Sequence, residues 1–185
     1  MIGEIIFYIY LILIFIKIKS IAHLNFGIMT IKLLAIGKTD NAHLVSLIED
    51  YKKRLEFYVN FSFQIIHDIK KAKNLTEEQQ KEKEGKLILK NLTSSDVLIL
   101  LDENGQQFTS IAFSKQLQKR MNSGIKQLIF VIGGPYGFSQ EVYHRANEKI
   151  ALSKMTFSHQ MIRLFFIEQL YRGFTILRNE PYHHR

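Results

Sequence analysis

Two short runs of the chain contain nothing but apolar residues, 97–101 (VLILL) and 128–132 (LIFVI). A strand with one wet face alternates apolar and polar positions. A strand that is apolar throughout must be covered on both faces, as happens in a parallel sheet sandwiched between helices. The segments around these runs supply the helices. Leu44, Leu47, Ile48, Tyr51 and Leu55 recur at helical spacing behind Asp40, a candidate cap. Thr76 with Gln79 three residues on is a capping box for a heavily charged helix through Asn91, which its composition places on the surface. Ser110 and Ser139 can cap two more helices, the first closing near Gly124, and an apolar helix runs from about Gln160 to Leu177. Strands fall at residues 31–36, 59–66 and 150–152 beside the two apolar runs, with a turn expected at Asp102, Glu103, Asn104 and Gly105. Alternating strands and helices of this kind specify an α/β domain with a mostly parallel sheet flanked by helices.

The domain pattern starts at Met29. Before it, residues 5–16 are an unbroken apolar run between Glu4 and the lysines 17 and 19. Twelve helical residues rise only ~18 Å, short of a ~30 Å hydrocarbon core. The charges are also reversed relative to a secretory signal, which carries its cations before the apolar stretch. Residues 1–28 are therefore expected to be an extension outside the fold, from a misplaced start, and 29–185 a single domain. A weak membrane anchor is the other reading of the extension. The absence of cysteine excludes disulfides, thiolate metal sites and a cysteine nucleophile. The formal net charge of +8 suits a polyanionic partner, although a lysine-rich solvated surface gives the same sum.

Three places carry candidate chemistry. Gly133, Gly134 and Gly137 follow the second apolar strand and precede a helix, where a ligand can approach the backbone. Their spacing matches neither the dinucleotide nor the phosphate-loop fingerprint, and a plain turn would look the same. Residues 152–163 (LSKMTFSHQMIR) form a polar link between a short strand and the long helix. Its main-chain groups could take an adenine or ribose edge, or it could be an ordinary loop with a cap at Ser158. The tail ends in Tyr182, His183, His184 and Arg185, which bring together phenol, imidazole and guanidinium. Such a set can accept a proton and stabilise an anion. A frayed terminus and a histidine metal site are the other readings of it.

In combination these segments resemble one family: the bacterial pseudouridine N3-methyltransferases of large-subunit ribosomal RNA, members of the SPOUT class of knotted methyltransferases. The resemblance rests on Leu101-Asp102, on residues 131–137 (VIGGPYG), on 152–163, on 167–174 (IEQLYRGF) and on Pro181-Tyr182-His183. It spans residues 29–185 and implies an α/β knot, in which the C-terminal part threads a trefoil. It implies that S-adenosylmethionine is the methyl donor, held by Leu101, Gly133, Leu152, Ser153, Lys154, Met155, Thr156 and Phe157, with no metal. It further implies a cytoplasmic homodimer whose sites are completed by the partner subunit. The substrate would be an assembled ribosome, through its 23S RNA, and not DNA or a membrane. His183 would be the base or relay, with Tyr182 shaping the ring pocket and His184 or Arg185 stabilising the imide anion. His184 stands where relatives carry arginine or lysine, so either histidine could act. Lys52, Lys53, Arg54, Lys115, Lys119 and Arg120 are candidate phosphate contacts. A non-catalytic RNA- or ribosome-binding factor is the rival class.

Overall fold

The computed structural model describes residues 29–69 and 74–183. The readings made for residues 1–28, and the site assignments of His184 and Arg185, lie outside the described residues. Ten elements follow one another: β1 (Thr30–Ile36), α1 (Ala42–Leu55), β2 (Asn60–Ile66), α2 (Glu77–Lys90), β3 (Val97–Gln107), α3 (Ser110–Asn122), β4 (Gln127–Ile132), α4 (Gln140–Arg145), β5 (Glu148–Ala151) and α5 (Met161–Leu177). The strands form one sheet in the order β2-β1-β4-β3-β5, every neighbouring pair parallel.

β4 lies between β1 and β3, and its residues 128–132 are all buried, as an apolar run in the middle of a sheet requires. Successive residues serve opposite faces. Ile31, Leu33, Leu128, Phe130 and Ile132 join a core with Ile48 and Leu55 of α1, Phe113 and Leu117 of α3, and Phe166, Ile167 and Leu170 of α5. Leu34, Ile36, Ile129 and Val131 join the opposite core with Ile88 of α2 and Val142 of α4. Chain direction accounts for the division. The steps β1 to β2 and β3 to β4 move toward the β2 edge and place α1 and α3 on one face. The steps β2 to β3 and β4 to β5 move the other way and place α2 and α4 on the other face. A single crossover hand demands that alternation.

Several local expectations need correction. The first helix is capped by Asn41, whose side chain accepts from the backbone N–H of His43 and Leu44. Asp40 instead receives Gln160: its backbone N–H donates to Gln160 Oε1 at 3.0 Å, tying the β1–α1 loop to the start of α5. Thr109, and not Ser110, caps α3, accepting from Ala112 at 3.1 Å. The capping box at Thr76 and Gln79 is present, but α2 is not wholly a surface helix: Glu84, Gly85 and Ile88 are buried. The expected turn at 102–105 is an excursion within β3. Both Leu101 and Gln106 pair with Ile150, so the four residues between them stand out of the ladder.

Among the described residues no helix is long and apolar enough to cross a membrane. The Phe130 ring is fully buried between Phe113 and Phe166, with ring centroids 6.5 Å and 4.6 Å away. Phe130→Ala is expected to lower unfolding free energy by about 3–5 kcal/mol in a denaturant titration. A loss below about 1 kcal/mol would mean that β4 is not the centre of the core.

Candidate active site

The excursion at 102–105 within β3 lies beside the C-terminal ends of β4 and β5, and at each of these places the chain leaves the sheet ladder in a loop. Those loops enclose a cleft of about 470 Å³, within the usual size range for small-molecule sites. Its walls include Leu101 and Asp102 from β3, Ile132 and the glycine loop 133–137 from β4, and Ile150 and Ala151 from β5. Leu152, Ser153, Met155, Thr156 and Phe157 close it, with His159 and Ile162 at the entry to α5. The residues expected to hold the donor therefore come together from three separate stretches of chain. Lys154 is the exception; it is exposed on the same loop and does not line the cleft.

The sequence did not single out Asp102 and Tyr143 as a pair. The Tyr143 hydroxyl donates to Asp102 Oδ2 at 2.6 Å across the cleft wall. Burial first, then the Asp102 carboxylate, push the phenol up to about 12. Asp102 Oδ1 also accepts from the backbone N–H of Asn104 at 2.8 Å, which shapes the excursion in β3. Nothing in the spacing of residues 102 and 143 announces this contact, because it depends on β3 and α4 meeting in space.

The segment 152–160 is positioned at both ends. β5 delivers it from the sheet edge, and Arg163, one turn into the following helix, is fully buried. Arg163 donates to the carbonyl of Ile36 and to Thr39 Oγ1, both at 2.7 Å. Its guanidinium is thereby fixed against the end of β1, and burial holds its pKa below the usual value. Outside the sheet ladder, the loop's amides and carbonyls are not committed to strand pairing. Phe157 and Phe165 pack together at 5.0 Å and both remain partly exposed.

The tail lies elsewhere on its own chain. Tyr182 sits in a groove between α1 and α5, its hydroxyl donating to Glu168 Oε1 at 3.0 Å and lying 3.1 Å from the Tyr51 hydroxyl. The ring meets Tyr171 edge-on at 4.8 Å, and the Arg172 guanidinium covers it at 4.7 Å. Burial and these hydroxyl and carboxylate partners raise the Tyr182 pKa above the ordinary phenol value. Tyr58 donates to Glu180, a second tie, and Asn179 turns the chain with φ 54°. Neither Tyr182 nor His183 lines the cleft. Glu168 and Tyr51 are the holders of this tail that the sequence did not reveal, although Glu168 lies within the 167–174 motif.

The expected phosphate contacts divide. Arg120 pairs with Glu148 and is largely buried, so it is not a surface cation. Lys52 and Arg54 pair with Glu49 and Asp50, while Lys53, Lys115 and Lys119 are exposed. No group of three or more histidine or acidic side chains among the described residues could hold a metal ion.

The family model described as "Predicted SPOUT methyltransferase" matches residues 29–183. The chain belongs to the SPOUT methyltransferase family. Curated relatives carry the name ribosomal RNA large subunit methyltransferase H. The one from Flavobacterium psychrophilum is 71% identical over 157 residues, covering 85% of this chain and all of the relative. The one from Flavobacterium johnsoniae is 69% identical over the same length and coverage. The one from Parabacteroides distasonis is 62% identical over 156 residues, covering 84% of this chain and 99% of the relative.

The cleft wall combines exposed main chain with an apolar lining. A Cβ at Gly133 would lie 3.1 Å from Phe138 Cε1 and 3.2 Å from the Gly137 carbonyl oxygen, tight contacts that those neighbours would have to yield to. The glycine leaves main chain bare at the cleft wall, and Leu101, Ile132, Ile150, Leu152 and Ile162 give an apolar lining. Because its folded pKa is raised, whatever stability Tyr143 contributes is present below the ordinary phenol pKa of about 10. It is lost as pH rises through about 12. In Asp102→Asn the ring should titrate measurably closer to the ordinary value, read by NMR of ring-labelled tyrosine. An unchanged Tyr143 titration would show that the carboxylate has no hold on the phenol.

Proposed function

We propose that the chain uses S-adenosylmethionine to methylate N3 of a pseudouridine in 23S ribosomal RNA, acting on the assembled ribosome as a homodimer in the cytoplasm. The relatives' name supplies ribosomal RNA of the large subunit as the substrate class. The observation that carries the reading is the convergence of Leu101, Gly133, Leu152, Ser153, Met155, Thr156 and Phe157 on one cleft at one edge of the sheet. In this reading residues 29–185 are the methyltransferase unit, with the trefoil knot of its class.

The donor, when bound, supplies a methyl group on a positively charged sulfur, which is a good leaving group and needs no metal. The chain's own residues have three tasks. Leu101, Ile132 and Leu152 cover the donor with apolar surface, and Gly133 lets it reach the main chain. Holding both reactants in line lowers the barrier by saving the entropy of encounter. The neutral imide nitrogen of the base is a poor nucleophile, so its proton must leave. His183 accepts it, directly or as a relay, and Tyr182 forms the wall of the base pocket. A cation at Arg185 or His184 would stabilise the imide anion as it forms.

Within one chain, Tyr182 is bonded to Glu168, six residues further along α5 than Ile162 at the cleft. At ~1.5 Å per helical residue that separation is ~9 Å. A second copy that brings its tail to this cleft removes the gap. Phe165, 38% exposed on an otherwise well-covered helix and packed on Phe157 beside the cleft, gives that copy an apolar surface to meet. Exposed Lys53, Lys115 and Lys119 are available to RNA phosphates.

Transfer of labelled methyl to ribosomes lacking the modification, followed by nucleoside analysis, tests the reaction. His183→Ala should reduce the rate on the order of a hundredfold while leaving donor binding by calorimetry intact. Near-native turnover would remove His183 from the chemistry. Ultracentrifugation at micromolar concentration should return a dimer, and a monomer alone would rule out the shared site.

A further inference from the structure

Glu84 is a carboxyl in an unexpected place. α2 is rich in charge, yet Glu84 is only 3% exposed and lies on the face that packs toward α4 and the glycine loop. One oxygen, Oε1, accepts from Gln80 Nε2 at 2.8 Å. The other, Oε2, is buried without a hydrogen-bond partner. The adjacent Gly85 packs on Ser139 at the start of α4, and the Ser139 hydroxyl is likewise buried and unpartnered.

The neighbour of Glu84 across this contact is Gly134. A Cβ built there would overlap the carboxyl group, with Oε1 and Cδ each 2.8 Å away. Gly134 does not have the positive φ of Gly37, Gly124 and Gly137, so its backbone would accept a side chain. What stands in the way of a side chain at 134 is the Glu84 carboxyl, which would have to move. The next residue back, Gly133, is closed off by the Phe138 ring, and the Gly134 carbonyl accepts from Gly137 at 3.2 Å. The lip of the cleft is therefore clamped between Phe138 and Glu84.

We propose that Glu84 is a positioning residue of the methyl-donor cleft: its buried carboxyl, lodged against Gly134, fixes the glycine loop in the shape that binds the donor. This rests on the reading of the cleft as the donor site. A hydrophobic side chain of similar volume would fill the space with less desolvation cost. A carboxyl in that position brings a second property, a protonation state. Burial raises its pKa, the Asp68 charge after β2 raises it further, and the Gln80 hydrogen bond opposes both. Burial and the unpartnered Oε2 favour the neutral form. As pH rises through the raised folded pKa the carboxyl must ionise in place, and the hold on the loop is lost. Donor affinity should fall over the same interval, above the ordinary carboxylate range.

The test uses the full chain, with S-adenosylmethionine as the calorimetric probe and hydrogen–deuterium exchange of residues 133–137 without ligand. Glu84→Ala should speed exchange in the loop and weaken donor binding on the order of tenfold. Glu84→Gln, which keeps the shape and stays neutral, should restore both and abolish the decline in affinity expected of the native chain as pH rises above the ordinary carboxylate range. Gly134→Ala alone should also weaken binding. Combined with Glu84→Ala it should cost less than the two single losses together, because the deleted carboxyl makes room for the methyl. If Glu84→Ala does not fold, Glu84→Gln and Gly134→Ala decide the matter. Loop exchange and affinity unchanged in folded variants, or a pH profile that Glu84→Gln leaves intact, would overturn the proposal. A native chain that takes up no donor overturns the donor reading and this inference with it, while faster loop exchange in Glu84→Ala would then record a purely structural clamp.

Discussion

The sheet is buried on both faces, and that confines where chemistry can occur. Ile129, Phe130 and Val131 are each sealed from water by helices above or below, so no ligand can reach the strands from the side. At these central strands only the ends are open. All five strands are parallel, so every strand points to the same edge, and the excursion within β3 shares one space there with the loops after β4 and β5. Residues 101, 133, 152, 153 and 155–157 meet there as a consequence of strand direction and of the order β4-β3-β5.

α5 connects that edge to the tail. Its apolar face, with Phe166, Ile167, Leu170 and Phe174, is sunk into the core against α1 and α3. Its first turn is pinned to β1 through Arg163, and its later turns carry Glu168, Tyr171 and Arg172, which hold Tyr182. One rigid helix thus sets both the entry to the cleft and the resting place of the C-terminal residues. The tail is organised by its own chain, through tyrosine and carboxylate contacts with α1 and α5.

Much of the fold could be read from residue patterns alone. The apolar runs at 97–101 and 128–132 became the β3–β4 pair at the middle of the sheet, and the capping box at Thr76 opened α2 where expected. Local polarity misled at other points. Charge on α2 suggested a surface helix because composition averages over its faces, and only packing shows that Glu84, Gly85 and Ile88 turn inward. The string Asp102, Glu103, Asn104 and Gly105 has turn composition, yet β5 pairs on both sides of it and keeps it within the span of β3. Arg120 looked like an RNA contact until β5 placed Glu148 beside it.

The candidate site divides in the same way. Gly133 and the loop after β5 were legible because glycine after a buried strand, and a polar link before an apolar helix, are local signals. Asp102 with Tyr143, Glu84 under Gly134 and Glu168 with Tyr182 were not, since each joins residues from different elements. Sequence by itself determined which segments become buried strands and which loops are free for chemistry, because hydrophobic period and backbone permissiveness belong to single segments. Tertiary structure alone decided which side chains face one another, and hence which carboxyl is buried and which phenol titrates late. Those properties depend on distance and on exclusion of water, which arise only when distant parts of the chain pack.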